Sequence, residues 1–222
     1  KIYPEDAKRG EYLPHYARFF NSVELNTTHY RIPGDEVVKD WLSQVPPGFR
    51  FCPKIYQGIS HTSHGLLDQR LIGDWTAFLT RLGGKCGPSF LQLPPHFDYS
   101  MKNDLFLFLK NWSPVFRLSI ELRHPSWFEN GKVLPALTEY LHSKGIGLVM
   151  TDVAGRRDVL HSSLSDGHAL LRFVGNRLDR SDFRRAQSWA VRVAHLQDIG
   201  LRELYLFIHE PDDDSVPEMT IY

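Results

Sequence analysis

The sequence predicts an α/β fold in which parallel strands, each followed by a helix, close into a barrel. Three observations predict it. Short apolar segments recur between helical patterns of about ten to eighteen residues, the alternation of βα units. Strand starts recur about every 20 to 40 residues, which is the βα repeat itself, and no low-complexity linker interrupts it. At 222 residues the chain has the length of one large domain, a size that such barrels fill alone.

Taken in order, the opening KIYPEDAKRGEYL reads as a loop and then a helix over Gly10–Phe20. The strand Ser22–Asn26 (SVELN) precedes a helix over Asp35–Val45, and Phe49–Lys54 (FRFCPK) precedes one over Gln69–Leu82. Ser89–Leu93 (SFLQL) leads to the helix Lys102–Asn111, and Leu118–Arg123 (LSIELR) to Gly131–Lys144. Gly147–Asp152 (GLVMTD), Ala169–Val174 (ALLRFV) with the helix Ser181–Ile199, and Glu203–His209 (ELYLFIH) complete the series. Asp35 and Ser181 are the expected N-caps, and Gly145 and Gly200 the expected stops. A closed TIM (β/α)8 barrel needs eight strands, whereas an arrangement one short leaves open edges. The expectation is therefore a single barrel domain over residues 1–222 whose first strand lies ahead of Lys1. The final helix within Asp212–Tyr222 is read as cut short.

Composition argues against several classes of function without excluding a nucleic-acid partner, for which a local basic patch would be enough. Twenty-six Lys and Arg balance twenty-six Asp and Glu, so the basic excess that phosphate neutralisation demands of a nucleic-acid binder is absent from the bulk charge. No apolar run approaches the roughly 18 residues of a membrane span. The two cysteines, Cys52 and Cys86, have no ligand-like spacing, which favours a reducing, cytoplasmic setting. G-x-G-x-x-G, P-loop and G-x-S-x-G motifs are missing, so no cofactor is expected.

Side chains alternate across a strand. In LSIELR the apolar Leu118, Ile120 and Leu122 oppose Ser119, Glu121 and Arg123; in SVELN, Val23 and Leu25 oppose Ser22, Glu24 and Asn26. With the apolar faces against the helices, the inward polar set becomes Glu24, Asn26, Lys54, Gln92, Glu121, Arg123, Asp152, Arg172 and His209. All sit in the last third of their strands, on the rim where barrel enzymes place their chemistry. Three acids facing three bases could also satisfy one another by pairing alone. His124, at the strand-to-loop junction of ELRHPSWF, suits acid/base work near neutral pH. His61 follows Lys54 as a ligand contact, and Trp127 is placed to stack on a ligand. Glu24, Glu121, Asp152 and His209 resemble a metal-binding set, but three cations on the same rim would repel the ion, so no metal is expected. Gly155-Arg156-Arg157-Asp158 reads as a contact loop or a solvated turn. Arg177, Arg180, Arg184 and Arg185 read as a solvated helix start.

At these residues the chain resembles the YecE-like family, domain of unknown function number 72, over nearly its whole length. The matching stretches are Phe20–Arg31 (FNSVELNTTHYR), Trp41–Phe51 with Lys54 and His61, Gly87–Phe97 (GPSFLQLPPHF), Glu121–Phe128 (ELRHPSWF) and Asp152. The resemblance implies a TIM-barrel fold and no established activity. The family's Gly-rich first strand is absent here. Arg172-Phe173-Val174-Gly175 stands where many members carry Arg-x-His-Gly, and His209-Glu210 where many carry paired Asn.

The expected function is acid/base catalysis on a small anionic substrate, phosphorylated or sugar-like. Glu24, Glu121, His124 and Asp152 are its candidate catalytic residues. Asn26, Lys54, His61, Gln92, Arg123, Arg172 and His209 are the candidate ligand contacts. A metal-dependent hydrolase, phosphoesterase or isomerase is one alternative, and a non-catalytic binding module the other.

Overall fold

Each predicted strand is present in a computed structural model, which describes residues 2–212 and 215–222. Asp213 and Asp214, in the stretch read as the last loop and helix, lie outside the described residues. The chain gathers into two compact units, Lys1–Gln92 with Lys102–Leu118, and Leu93–Met101 with Ser119–Tyr222.

In the first unit β1 (Ser22–Leu25) runs parallel to β2 (Arg50–Pro53), with Ser22 opposite Arg50 and Leu25 opposite Pro53. Parallel bridges from Phe51 to Cys86 and from Lys54 to Phe90 join β2 to the run that contains β3 (Ser89–Gln92). The predicted helix over Gly10–Phe20 contracts to α1 (Tyr12–Tyr16). Next come α2 (Asp35–Ser43), α3 (Gln69–Leu82) and α4 (Lys102–Asn111). Asp35 is inside its helix, and Gly34 is the N-cap. In α3 the buried Trp75, Phe78, Leu79 and Leu82 recur at helical spacing, an apolar stripe turned to the core, and Phe49, Phe51 and Phe90 of the same unit are buried as well.

In the second unit β4 (Leu118–Glu121, in this unit from Ser119), β5 (Gly147–Val153), β6 (His168–Val174) and β7 (Glu203–His209) lie in sequence order, all parallel. The helix α5 covers Pro135–Lys144, α6 covers Arg180–Asp198 and α7 covers Val216–Ile221. Residues 131–134, predicted as helix, are not. Pro135 at the first helical turn disfavours helix before it, and Phe128–Glu129 pairs antiparallel with Lys132–Val133. The turn between them, Asn130-Gly131, has φ values of 51° and 72°. That dipeptide is a strong hairpin signal, overlooked within the helical pattern. Asp179, not Ser181, caps α6, accepting from the Ser181 amide at 2.8 Å. Gly145, at φ 63°, stops α5 as expected.

The α/β class with parallel strands therefore holds. Among the described residues β1 pairs only with β2 and β7 only with β6, so no ladder closes the strands into a ring.

Candidate functional site

The strand-end polar residues fall in both units, and each unit assembles its own. In the first, Asn26 Nδ2 donates to Glu24 Oε1 at 2.6 Å, and Lys54 Nζ donates to Gln92 Oε1 at 2.8 Å. Lys54 and Gln92 were predicted from separate strands, and their parallel neighbours bring them together. The imidazole of His61 lies 2.7 Å from the Ser60 hydroxyl through Nδ1, and its ring meets that of His29 at 4.9 Å between centroids. Burial holds His29 below its usual range, opposed by its bond to the Ile55 carbonyl and reinforced by the charge of Lys54.

The second unit holds a better-defined site. On β4, alternation places Glu121 on the face of Ser119, as predicted, and its carboxylate is 2% exposed. Arg172 Nη1 donates to Glu121 Oε2 at 3.3 Å, and Arg123 Nε lies 3.8 Å from Oε1. Glu121, Leu122, Arg123, Val149, Thr151, Val153, Arg156 and Val159 line a pocket there. The hydroxyl of Thr151 is buried with no hydrogen-bond partner, so the pocket wall retains an unsatisfied polar group.

Asp152 departs from the expectation. Thr151 and Val153 take the pocket face, which turns Asp152 toward α6, where it is 1% exposed. Its Oδ2 accepts from Trp189 Nε1 at 2.6 Å, and its Oδ1 from Arg185 Nη1 at 2.7 Å and from Arg157 Nη1. Burial alone would push this carboxyl up, but the bonds from Arg185 and Trp189 and the charge of Arg157 hold it below the usual carboxylate range. It is a fixed anion with its donors around it. Polarity could not sort GLVMTD, because both faces of a buried strand are apolar.

Other positions also differ from expectation. His124 Nδ1 accepts from the Ser126 amide at 3.2 Å, capping the turn Pro125–Trp127. Trp127, expected to face a ligand, is wholly buried and donates to the Phe97 carbonyl at 2.8 Å. His209 ends β7 half-buried, on the face opposite Leu204 and Ile208, which pack into the helix-side core. Arg185, read as solvated, is 12% exposed, bonded to Asp152, to Asp182 at 2.6 Å and to the Val174 carbonyl at 2.8 Å. Its spacing from Asp182 and Trp189 on one helical face was the available signal. Arg156 and Val159 line the pocket from outside the strands, where alternation has no reach, and for Arg156 the contact-loop reading is the one that fits.

Among the described residues no three His, Cys, Asp or Glu side chains gather as a metal ion would require. No helix there is long and apolar enough to cross a membrane.

A parallel α/β protein with charged side chains at its strand ends is the class that fold and site define. Residues 1–220 match the family described as "Protein of unknown function DUF72", and the chain belongs to that family. It is 32% identical to the UPF0759 protein YecE of Escherichia coli K12, over 94% of this chain and 82% of that protein. The UPF0759 protein YunF of Bacillus subtilis is 27% identical over 57% of this chain and 48% of its own length. Among solved structures, a DUF72 family protein of Enterococcus faecalis V583 aligns with a TM-score of 0.78 at 19% identity, over 94% of this chain and 90% of the other. One from Thermotoga maritima MSB8 aligns at 0.72 and 23%, over 94% and 85%. Both likenesses concern the fold alone.

Proposed function

We propose that the Glu121 pocket binds a small anionic substrate, phosphorylated or sugar-like, and runs acid/base chemistry on it. The observation that carries the reading is the charge set: Arg123 and Arg172 engage the buried Glu121 carboxylate, and Arg156 lines the same pocket as Glu121 and Arg123. Guanidinium groups in excess over carboxylates favour an oxyanion, which they grip through paired N–H donors. Glu121 is the acid/base candidate, with His124 the nearby imidazole in sequence. The closed barrel and a single domain belong to the same proposal. They are supported by the parallel order β4 to β7 and by the polar strand ends. A cytoplasmic setting is supported by two free cysteines. A second reading, a non-catalytic binding module, is favoured by one fact: two guanidinium groups already engage Glu121.

Calorimetric titration with inorganic phosphate and a panel of sugar phosphates tests the site. Arg172→Ala should weaken phosphate binding at least about tenfold, the scale of one charge-assisted contact. Neutral sugars should not bind. Phosphate affinity unchanged in Arg172→Ala and Arg123→Ala would remove the anion from this pocket. If turnover of any panel member is found, Glu121→Gln should slow it by about a hundredfold or more while binding persists. Binding without turnover across the panel favours the module.

A further inference from the structure

Arg156 owes its place at the pocket to the turn that carries it, and that turn is held from below. Val153 and Arg156 form an antiparallel bridge, with the Arg156 amide donating to the Val153 carbonyl at 3.1 Å. The bridge sets both residues on the pocket wall. Arg156 Nη2 then donates to the Arg123 carbonyl at 3.3 Å and pairs with Asp158 at 3.0 Å. Both members of that ion pair are substantially exposed, so water already screens it and an incoming oxyanion can compete for the guanidinium.

The next residue points the other way. Arg157 reaches Asp152, whose carboxylate also accepts from Arg185 and Trp189 of α6. Arg185 is itself stacked on Phe173, 4.5 Å from the ring centroid, and tied to Asp182 and the end of β6. The anchor beneath the turn is therefore a buried network joined to the packed face of a nineteen-residue helix. Neighbouring arginines divide the work, one facing the pocket and one facing the anchor.

We infer that Asp152 is a positioning residue: through Arg157 it latches the turn 153–157 so that Arg156 presents its guanidinium to the anion bound beside Arg123. Asp152 does not touch the substrate. The inference rests on the anion-site reading above and adds to it the part that sets affinity. A ligand contact carried by a tethered loop, rather than by a strand end, makes the site tunable without disturbing the sheet.

The experiment is a phosphate titration of the full chain with Arg156→Ala, Arg157→Ala, Arg157→Lys and the double alanine variant. Arg156→Ala should raise Kd about tenfold, and Arg157→Ala should raise it nearly as much although Arg157 faces Asp152. Arg157→Lys should recover most of the affinity. In the Arg156→Ala background, Arg157→Ala should change Kd by less than about twofold, since a latch with nothing to position has nothing to lose. Independent, additive losses would mean that Arg157 acts elsewhere and would overturn the inference, as would an Arg157→Ala Kd equal to the parent's. A parent that binds no phosphate overturns the pocket reading and the latch with it. Asp152→Asn, if it folds, should copy Arg157→Ala; phosphate affinity equal to the parent's in folded Asp152→Asn overturns the latch.

Discussion

His161 shows what burial does to a single group in this chain. It is 3% exposed, donates from Nε2 toward the Val149 carbonyl at 3.3 Å and accepts the Ser163 amide at Nδ1, 3.2 Å away. Burial lowers its pKa to about 4, against the opposing pull of the Val149 carbonyl. The imidazole stays neutral in the folded chain down to that pH, whereas in the unfolded chain it takes a proton near its ordinary value. Lowering the pH from about 6.5 to about 4 therefore favours unfolding, by a total of roughly 3 kcal/mol from this residue, and below that range the term is constant. Urea midpoints measured across that window should fall more steeply for the parent than for His161→Gln; parallel curves would show that His161 is not the group. Nothing local marks it, since its burial comes from strand β5, a dozen residues earlier in the chain. Glu121 and Arg172 were legible for the opposite reason: LSIELR and ALLRFV each carry a charge on one face of a strand whose other face is apolar.

Helix ends carry a second lesson. Asp68 caps α3 by accepting the amides of Arg70 at 3.0 Å and Leu71 at 3.1 Å, two of the donors that a helix start leaves unpaired. Asp68→Ala should cost about 1 kcal/mol in denaturant unfolding, and Asp68→Asn only a few tenths. Equal losses from the two would point to charge rather than the cap. α3 and α4 were read to the residue, because a clear apolar stripe lies between unambiguous boundaries. The start of α5 was not: Gly131 to Leu134 continues the hydrophobic pattern, but the Asn130-Gly131 turn and Pro135 override it. Rim loops escape periodicity altogether, which is why Gly155-Arg156-Arg157-Asp158 could be read only as a contact loop or a solvated turn, with no partner for either arginine.

At the scale of the molecule, an anion site is also a stability device. A ligand that binds only the folded state at a hundred times its Kd adds about 2.7 kcal/mol, which for a chain of this size is a thermal shift of roughly 5–10 °C. Phosphate should raise the melting temperature of the parent by that order at constant ionic strength, and Arg172→Ala should lose the rise. A shift of the same size from chloride would reduce it to general salt stabilisation. The parallel α/β class was legible from the spacing of apolar segments alone. Ring closure was not, because strand order at the edges depends on pairings between segments that share no local pattern. The exposed hairpin turn has a slower consequence. Asn followed by Gly leaves the side-chain amide open to attack by the next backbone nitrogen, with no side chain in the way. Collapse of that ring to a β-linked aspartate would lengthen the backbone by one carbon and misalign the Phe128–Val133 pair. Asn130 is thus a place where this molecule would record its own age, as deamidation that no protease or ligand needs to start.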